Sequence, residues 1–159
     1  MANLIYLTLN GELQGPISAG CSSLASIGNK AQLAHLDQVL IYELSHGLIR
    51  NQNVNHQSVV IRKPVDKSSP LLNKAITENE ILTCDFDFYR TNQAGMNELY
   101  YKLKLIGATI KDIRLSSPDS LKEPGGQPTE TVSFAYNSVS WEHCLAGTSA
   151  YSLWRSRVY

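Results

Sequence analysis

Two runs of alternating apolar and polar residues between Ile81 and Ile106 flank the turn-forming segment Asn92-Gln93-Ala94-Gly95, and nothing else in the chain restricts its fold so strongly. A hairpin centred between Ala94 and Gly95 sets Cys84 opposite Leu105, Phe86 opposite Leu103 and Phe88 opposite Tyr101. The same register sets Asp85 against Lys104 and Asp87 against Lys102 on the other face. Successive strand side chains point to opposite faces, so a slip of one residue would put carboxylates against leucines. Two independent patterns therefore select one register. The ion pairs add little themselves, about 0.2–1 kcal/mol each at an exposed position.

A second stretch, His56 to Ile76, predicts a strand followed by a helix. Ser58-Val59-Val60-Ile61-Arg62 is rich in β-branched residues, and Pro64 then removes a ladder donor. Ser69 offers an oxygen to free helix amides, Pro70 suits the first helical position, and Asp66 favours the positive end of the helix. Leu71, Leu72, Ala75 and Ile76 repeat on one face, giving a helix over about Pro70–Glu78.

Around these, Leu4 to Leu9 reads as a first strand, stopped by Asn10-Gly11. Residues 11–29 are small and polar, predicting loop with a short strand around Ser23 to Ile27. Asp37 to His46, with Val39-Leu40-Ile41-Tyr42-Glu43-Leu44 at its centre, predicts a strand covered on both faces. Arg50-Asn51-Gln52-Asn53-Val54-Asn55 is too hydrophilic for a core and lacks the glycine of a tight hairpin, so it should project. The strand of Tyr101 and Leu103 continues towards Leu115 with a change of phase that a bulge would explain. Ser116 to Pro128 is loop. Val132, Phe134 and Tyr136 share a strand face that Val139 and Trp141 leave, so either a bulge or a tight turn lies at Asn137-Ser138. After His143 the tail carries Tyr151, Trp154 and Tyr159, aromatics expected to pack on the domain or on a neighbour. Seven or more strands and one short helix predict a mainly β fold, an antiparallel β-barrel or sandwich with the helix laid against it.

With 14 basic and 14 acidic residues the formal charge is zero, which gives no general attraction to nucleic acid or an anionic membrane. Met1-Ala2-Asn3-Leu4 lacks a basic region and a long apolar run, so no cleavable export signal and no membrane insertion are expected, and synthesis should end in the cytoplasm. Cys21, Cys84 and Cys144 have no metal-ligand spacing and read as reduced, mostly buried thiols. His35, His46, His56 and His143 are scattered without a metal-binding pair. Asp66, Lys67 and Ser68-Ser69 could be a lysine-activated serine, but helix capping explains them. Gly125-Gly126 lacks the Lys-Ser or Lys-Thr of a phosphate loop. Asp85 and Asp87 face lysines and form a solvated face. No catalytic residues, metal or cofactor are expected.

The run Val65-Asp66-Lys67-Ser68-Ser69-Pro70-Leu71-Leu72, preceded by Ile61-Arg62-Lys63, resembles the haemolysin-coregulated protein (Hcp) family of bacterial type VI secretion. Asp66-Lys67-Ser68-Ser69-Pro70 is its most specific part. Asn3-Leu4-Ile5-Tyr6-Leu7, Leu99-Tyr100-Tyr101-Lys102-Leu103, Ala108-Thr109-Ile110, and Glu130 to Tyr136 before Trp141-Glu142-His143 are similar to that family in the same order. Gly15 to Asn29 is similar to its enterobacterial subgroup.

The resemblance implies a single tube domain over 1–159, with 144–159 a short tail too small to be a separate toxin domain. It implies a homohexameric ring, stacked into a hollow tube that holds effector proteins in its lumen, meets spike and sheath proteins, and leaves the cell by type VI secretion. The same position in that family holds an extended loop reaching a neighbouring subunit, so Arg50, Asn51, Gln52, Asn53, Val54, Asn55 and His56 are expected to make an intersubunit contact. Glu43 and Ser45 align with a strand that lines the lumen there. The strand count alone also permits a monomeric β-barrel that binds a small ligand.

Overall fold

The computed structural model describes residues 3–154. In chain order the strands and helices are β1 (Asn3–Gly11), β2 (Gly15–Pro16), α1 (Leu24–Ile27), β3 (Val39–Ile41), β4 (Glu43–Ser45), β5 (Leu48–Arg50) and β6 (Val54–His56). There follow β7 (Val59–Pro64), α2 (Ser69–Glu78), β8 (Leu82–Thr91), β9 (Asn97–Ser116), β10 (Thr129–Ala135), β11 (Ser138–His143) and β12 (Thr148–Leu153). The strand expected around Ser23 to Ile27 is instead the single turn α1, in a segment with little alternation to hold it extended.

All strand pairings are antiparallel. β1 pairs with β8, β8 with β9, β9 with β10, β10 with β7, and β7 with β4. β3 returns to β1, and only Tyr42 separates β3 from β4. The Tyr42 amide donates to the Arg62 carbonyl at 2.8 Å, so the stretch 39–45 leaves β1, joins β7 and closes the sheet into a barrel. Closure removes sheet edges that would otherwise seek a partner. The expected strand over Asp37 to His46 thus changes partners midway. Val39, Leu40 and Ile41 are buried, as a strand covered on both faces requires, but Glu43 and Ser45 are exposed.

β8 and β9 pair in the predicted register, Cys84 with Leu105, Asp85 with Lys104, Phe86 with Leu103, Asp87 with Lys102 and Phe88 with Tyr101. Beyond Phe88 the register shifts by one, so Thr91 meets Asn97, and the Asn92 carboxamide accepts the Ala94 and Met96 amides at 2.9 and 3.0 Å. β9 runs 20 residues because its other side carries two strands in succession, β11 along its first half and β10 along its second. The phase change at Asn137-Ser138 is therefore an irregularity within a continuing strand. It faces Gly107, whose φ of +63° marks the matching kink in β9, and Asn137 donates its amide to the Ile106 carbonyl at 3.1 Å. β12 adds to β11 as an outer strand.

The inward residues fill the barrel. Leu7, Leu9, Ile61, Phe86, Leu105, Val132 and Phe134 form one continuous core with Leu72 and Ala75 of α2, and Leu71 and Ile76 pack at its margin. In the tail, Trp154 is half-buried and Tyr151 is exposed; Tyr159 lies outside the described residues.

Candidate functional site: the arm, its base and the open polar face

β5 and β6 pair only with each other, Leu48 with His56, Ile49 with Asn55 and Arg50 with Val54. The projecting segment is thus a two-stranded ribbon rather than a loop, and it begins two residues before Arg50. Without a glycine, Gln52 itself takes the left-handed conformation at the tip, φ +61°. The tip is polar, but Leu48 and Ile49 expose 43% and 57% of their surface at the base. Arg50, Asn51, Gln52 and Asn55 are exposed and Asn53 and Val54 half-buried, whereas His56 is buried at 3% exposure against its own domain. His56 therefore anchors the arm instead of extending its reach.

That anchor is an aromatic cluster. The Tyr136 oxygen lies 2.7 Å from His46 Nε2 and 3.0 Å from His56 Nδ1, and Tyr136 donates to the Gln57 carbonyl at 3.2 Å. His56 Nε2 lies 2.9 Å from the Ser152 hydroxyl of β12. Trp141 stacks on His46 and Trp154 on His56. Burial pushes the Tyr136 phenol up to about 12 and holds both imidazoles below their usual range, with the neighbouring His56 lowering His46 further.

Glu43 and Ser45 share the outward face of the sheet formed by β4, β7, β10 and the end of β9. One cross-strand row there is Glu43, Arg62, Thr131 and Arg114; the next is Ser45, Val60, Ser133 and Asp112. Their inward neighbours are Leu44, Ile61, Val132 and Ile113. Glu43 pairs with Arg62 at 3.0 Å and Asp112 with Arg114 at 3.1 Å, all partly or largely exposed. The face is open and mostly polar.

The signature stretch is structural. Lys63 has no exposed surface, and its Nζ, with three protons to donate, is surrounded by four acceptors: Glu130 Oε2 at 2.9 Å, Asp66 Oδ1 at 3.0 Å, the Pro64 carbonyl at 3.0 Å and Ser69 Oγ at 3.3 Å. Asp66 Oδ1 also accepts the Ser68 amide at 2.9 Å and its hydroxyl at 2.5 Å, while Ser69 Oγ accepts the Asp66 amide at 3.0 Å. The expected Ser69 cap is thus replaced. Asp66 serves the amide at the helix start, and Ser69 closes the turn behind it. Ser68 and Ser69 are buried, Lys67 and Pro70 exposed. Lys63 and Glu130 were legible by parity. Lys63 alternates with Val59 and Ile61, Glu130 with Val132 and Phe134, and the two are direct cross-strand partners.

Among the described residues no group of three or more His, Cys, Asp or Glu side chains is placed to hold a metal, and no helix is long and apolar enough to cross a membrane. The three cysteines are free, Cys21 and Cys84 buried and Cys144 partly so. The fold defines a class, a small closed antiparallel β-barrel that carries a strand arm and a docked helix. Residues 6–143 match the family model described as type VI secretion system effector, Hcp, and the chain belongs to that family. It is 38% identical to the major exported protein of Pseudomonas aeruginosa, over 99% of each chain. It is 37% identical over 93% of its length to the uncharacterized protein YhhZ of Escherichia coli, of which it spans 37%. The crystal structure of an Hcp protein superposes with TM-score 0.92 at 32% identity, covering 98% of this chain and 100% of that one.

Proposed function

We propose that this chain is a structural subunit of the type VI secretion inner tube. It forms hexameric rings that stack into a hollow conduit, carries small effector proteins in the lumen and is exported with the tube. Membership of the family supports the assignment to this machinery, and the arm is the observation that carries the assembly. A ribbon detached from the barrel exposes Leu48 and Ile49 beside a polar tip, a surface suited to covering by a second copy. A cyclic ring uses two different patches of each subunit, and the arm supplies one of them. Glu43 and Ser45, on the open polar face, line the lumen. Spike and sheath proteins are the further partners.

The competing reading, a monomer that holds a small ligand in its barrel, has no support from the interior, which is filled by fully buried side chains. Light scattering and negative-stain microscopy distinguish the two. Annular particles of about six subunit masses are expected from the wild type. Replacing 49–55 by a tight glycine turn is expected to leave folded monomers. Rings formed by that variant would refute the arm's role, and a wild-type monomer would refute the assembly.

A further inference from the structure

His46 precedes the arm and His56 ends it, and both imidazoles converge on one phenol. Tyr136 gives its single proton to the Gln57 carbonyl, so its oxygen accepts from His46 Nε2–H and from His56 Nδ1–H. His56 Nε2 then accepts the Ser152 hydroxyl proton. Every polar atom named in this set is paired when both rings are neutral. We propose that His46 and His56 form an acid-sensitive latch: charging both rings releases the arm from the barrel and dissolves the intersubunit contact that the arm makes. The release regulates the contact proposed above and rests on that reading.

Two charged rings would sit on either side of one oxygen, His56 almost without access to water. Among the described residues no carboxylate hydrogen-bonds either ring. On the open side of His46, Lys111 and Asp112 of β9 line the same groove, and Asp112 is held by Arg114. The indole faces of Trp141 and Trp154 return part of the cost by attracting a cation. Burial lowers both rings, the neighbouring His56 lowers His46 further, and a backbone contact with Leu153 opposes the shift in His56. The sign follows. Imidazoles titrate lower in the latched state than at their free value of about 6.5, so the latch is at full strength above that pH and weakens as pH falls through the lowered values. The arm yields before the barrel because β5 and β6 pair with nothing else and an isolated hairpin is marginal in water.

Hydrogen exchange of the arm amides, corrected for intrinsic rate, and native mass are measured together from about pH 7.5 to 5. The expected result is a loss of arm protection of about tenfold or more across this range, with the β8–β9 hairpin unchanged and rings dissociating in parallel. The double variant His46→Gln and His56→Asn keeps a nitrogen donor near each contact and is expected to give a flat profile. Constant arm protection in the wild type, or an equal fall in the variant, overturns the latch. Titration of the wild-type imidazoles by NMR supplies an independent reading, and either ring titrating above about 6.5 also overturns it. If the arm opens on schedule but no ring exists at neutral pH, the reading of the arm as a ring contact fails while the latch stands.

Discussion

Lys63 stands where strand alternation calls for an aliphatic side chain, and what makes it tolerable is Asp66 and Glu130 within 3.0 Å of its ammonium. Removing one partner from a buried ion cluster leaves uncompensated charge. Lys63→Met is therefore expected to destabilise the fold by about 3–5 kcal/mol, whereas Lys67→Ala, on an exposed neighbour, should stay within about 0.5 kcal/mol. Chemical denaturation midpoints of the two variants check the contrast. The cysteines divide in the same manner. Burial pushes the Cys21 thiol up to about 11, assisted by Asp66, and raises Cys84 further still. In the native protein only Cys144 should react with a thiol reagent on the minutes scale, and rapid modification of Cys84 would contradict its burial. At this scale the sequence was partly misleading. Asp66, Ser68 and Ser69 looked like a helix cap because each residue type does cap helices, and the long-range partners Lys63 and Glu130 decided their use instead. The buried Lys63–Glu130 pair was visible in the strand parity, but a charge in an apolar phase reads as noise until its partner is in register.

Among the elements, the β8–β9 hairpin was legible from Cys84 to Phe88 because apolar and charged residues reported the same register from opposite faces, while the shift beyond Phe88 left no mark in that pattern. α2 was legible from its spacing and from Pro70. Tyr42, where one strand changes partners, was not, since Val39 to Tyr42 is apolar on both phases and only the closing of the barrel assigns the halves of the stretch. The arm hairpin was read as a loop because its turn uses Gln52 rather than glycine, at a cost in backbone strain that a polar residue at a free tip can bear. The irregularity between β10 and β11 also has a local cause that can be tested. An added Cβ at Gly107 would lie 2.4 Å from Asn137 Nδ2, on a backbone with φ +63°. Gly107→Ala should cost about 1–3 kcal/mol. Asn137→Gly in the same chain should recover only part of it, because the backbone strain remains. Full recovery would mean that the contact alone fixes the glycine.

At the scale of the whole molecule the closed barrel divides the surface into regions with different duties. Its interior is committed to packing and its signature corner to an ion cluster, while the outward rows Glu43, Arg62, Thr131, Arg114 and Ser45, Val60, Ser133, Asp112 form an open, mostly polar face. A lumen wall needs such a face, charged enough to stay wet. Glu43→Lys tests the assignment with little risk to the fold, because the Glu43–Arg62 pair is 69% and 41% exposed at its two side chains and such pairs contribute less than about 1 kcal/mol. The new lysine would stand beside Arg62, with Arg114 two strands beyond Arg62 in the same row, so each subunit of a ring would turn added positive charge inward, repeated around the axis. Ring formation and thermal stability should persist, while retention of a captured effector and its salt dependence should change, read by co-purification across a salt series. If retention and stacking are both unaltered, Glu43 faces away from the bore and the polar face serves another part of the assembly.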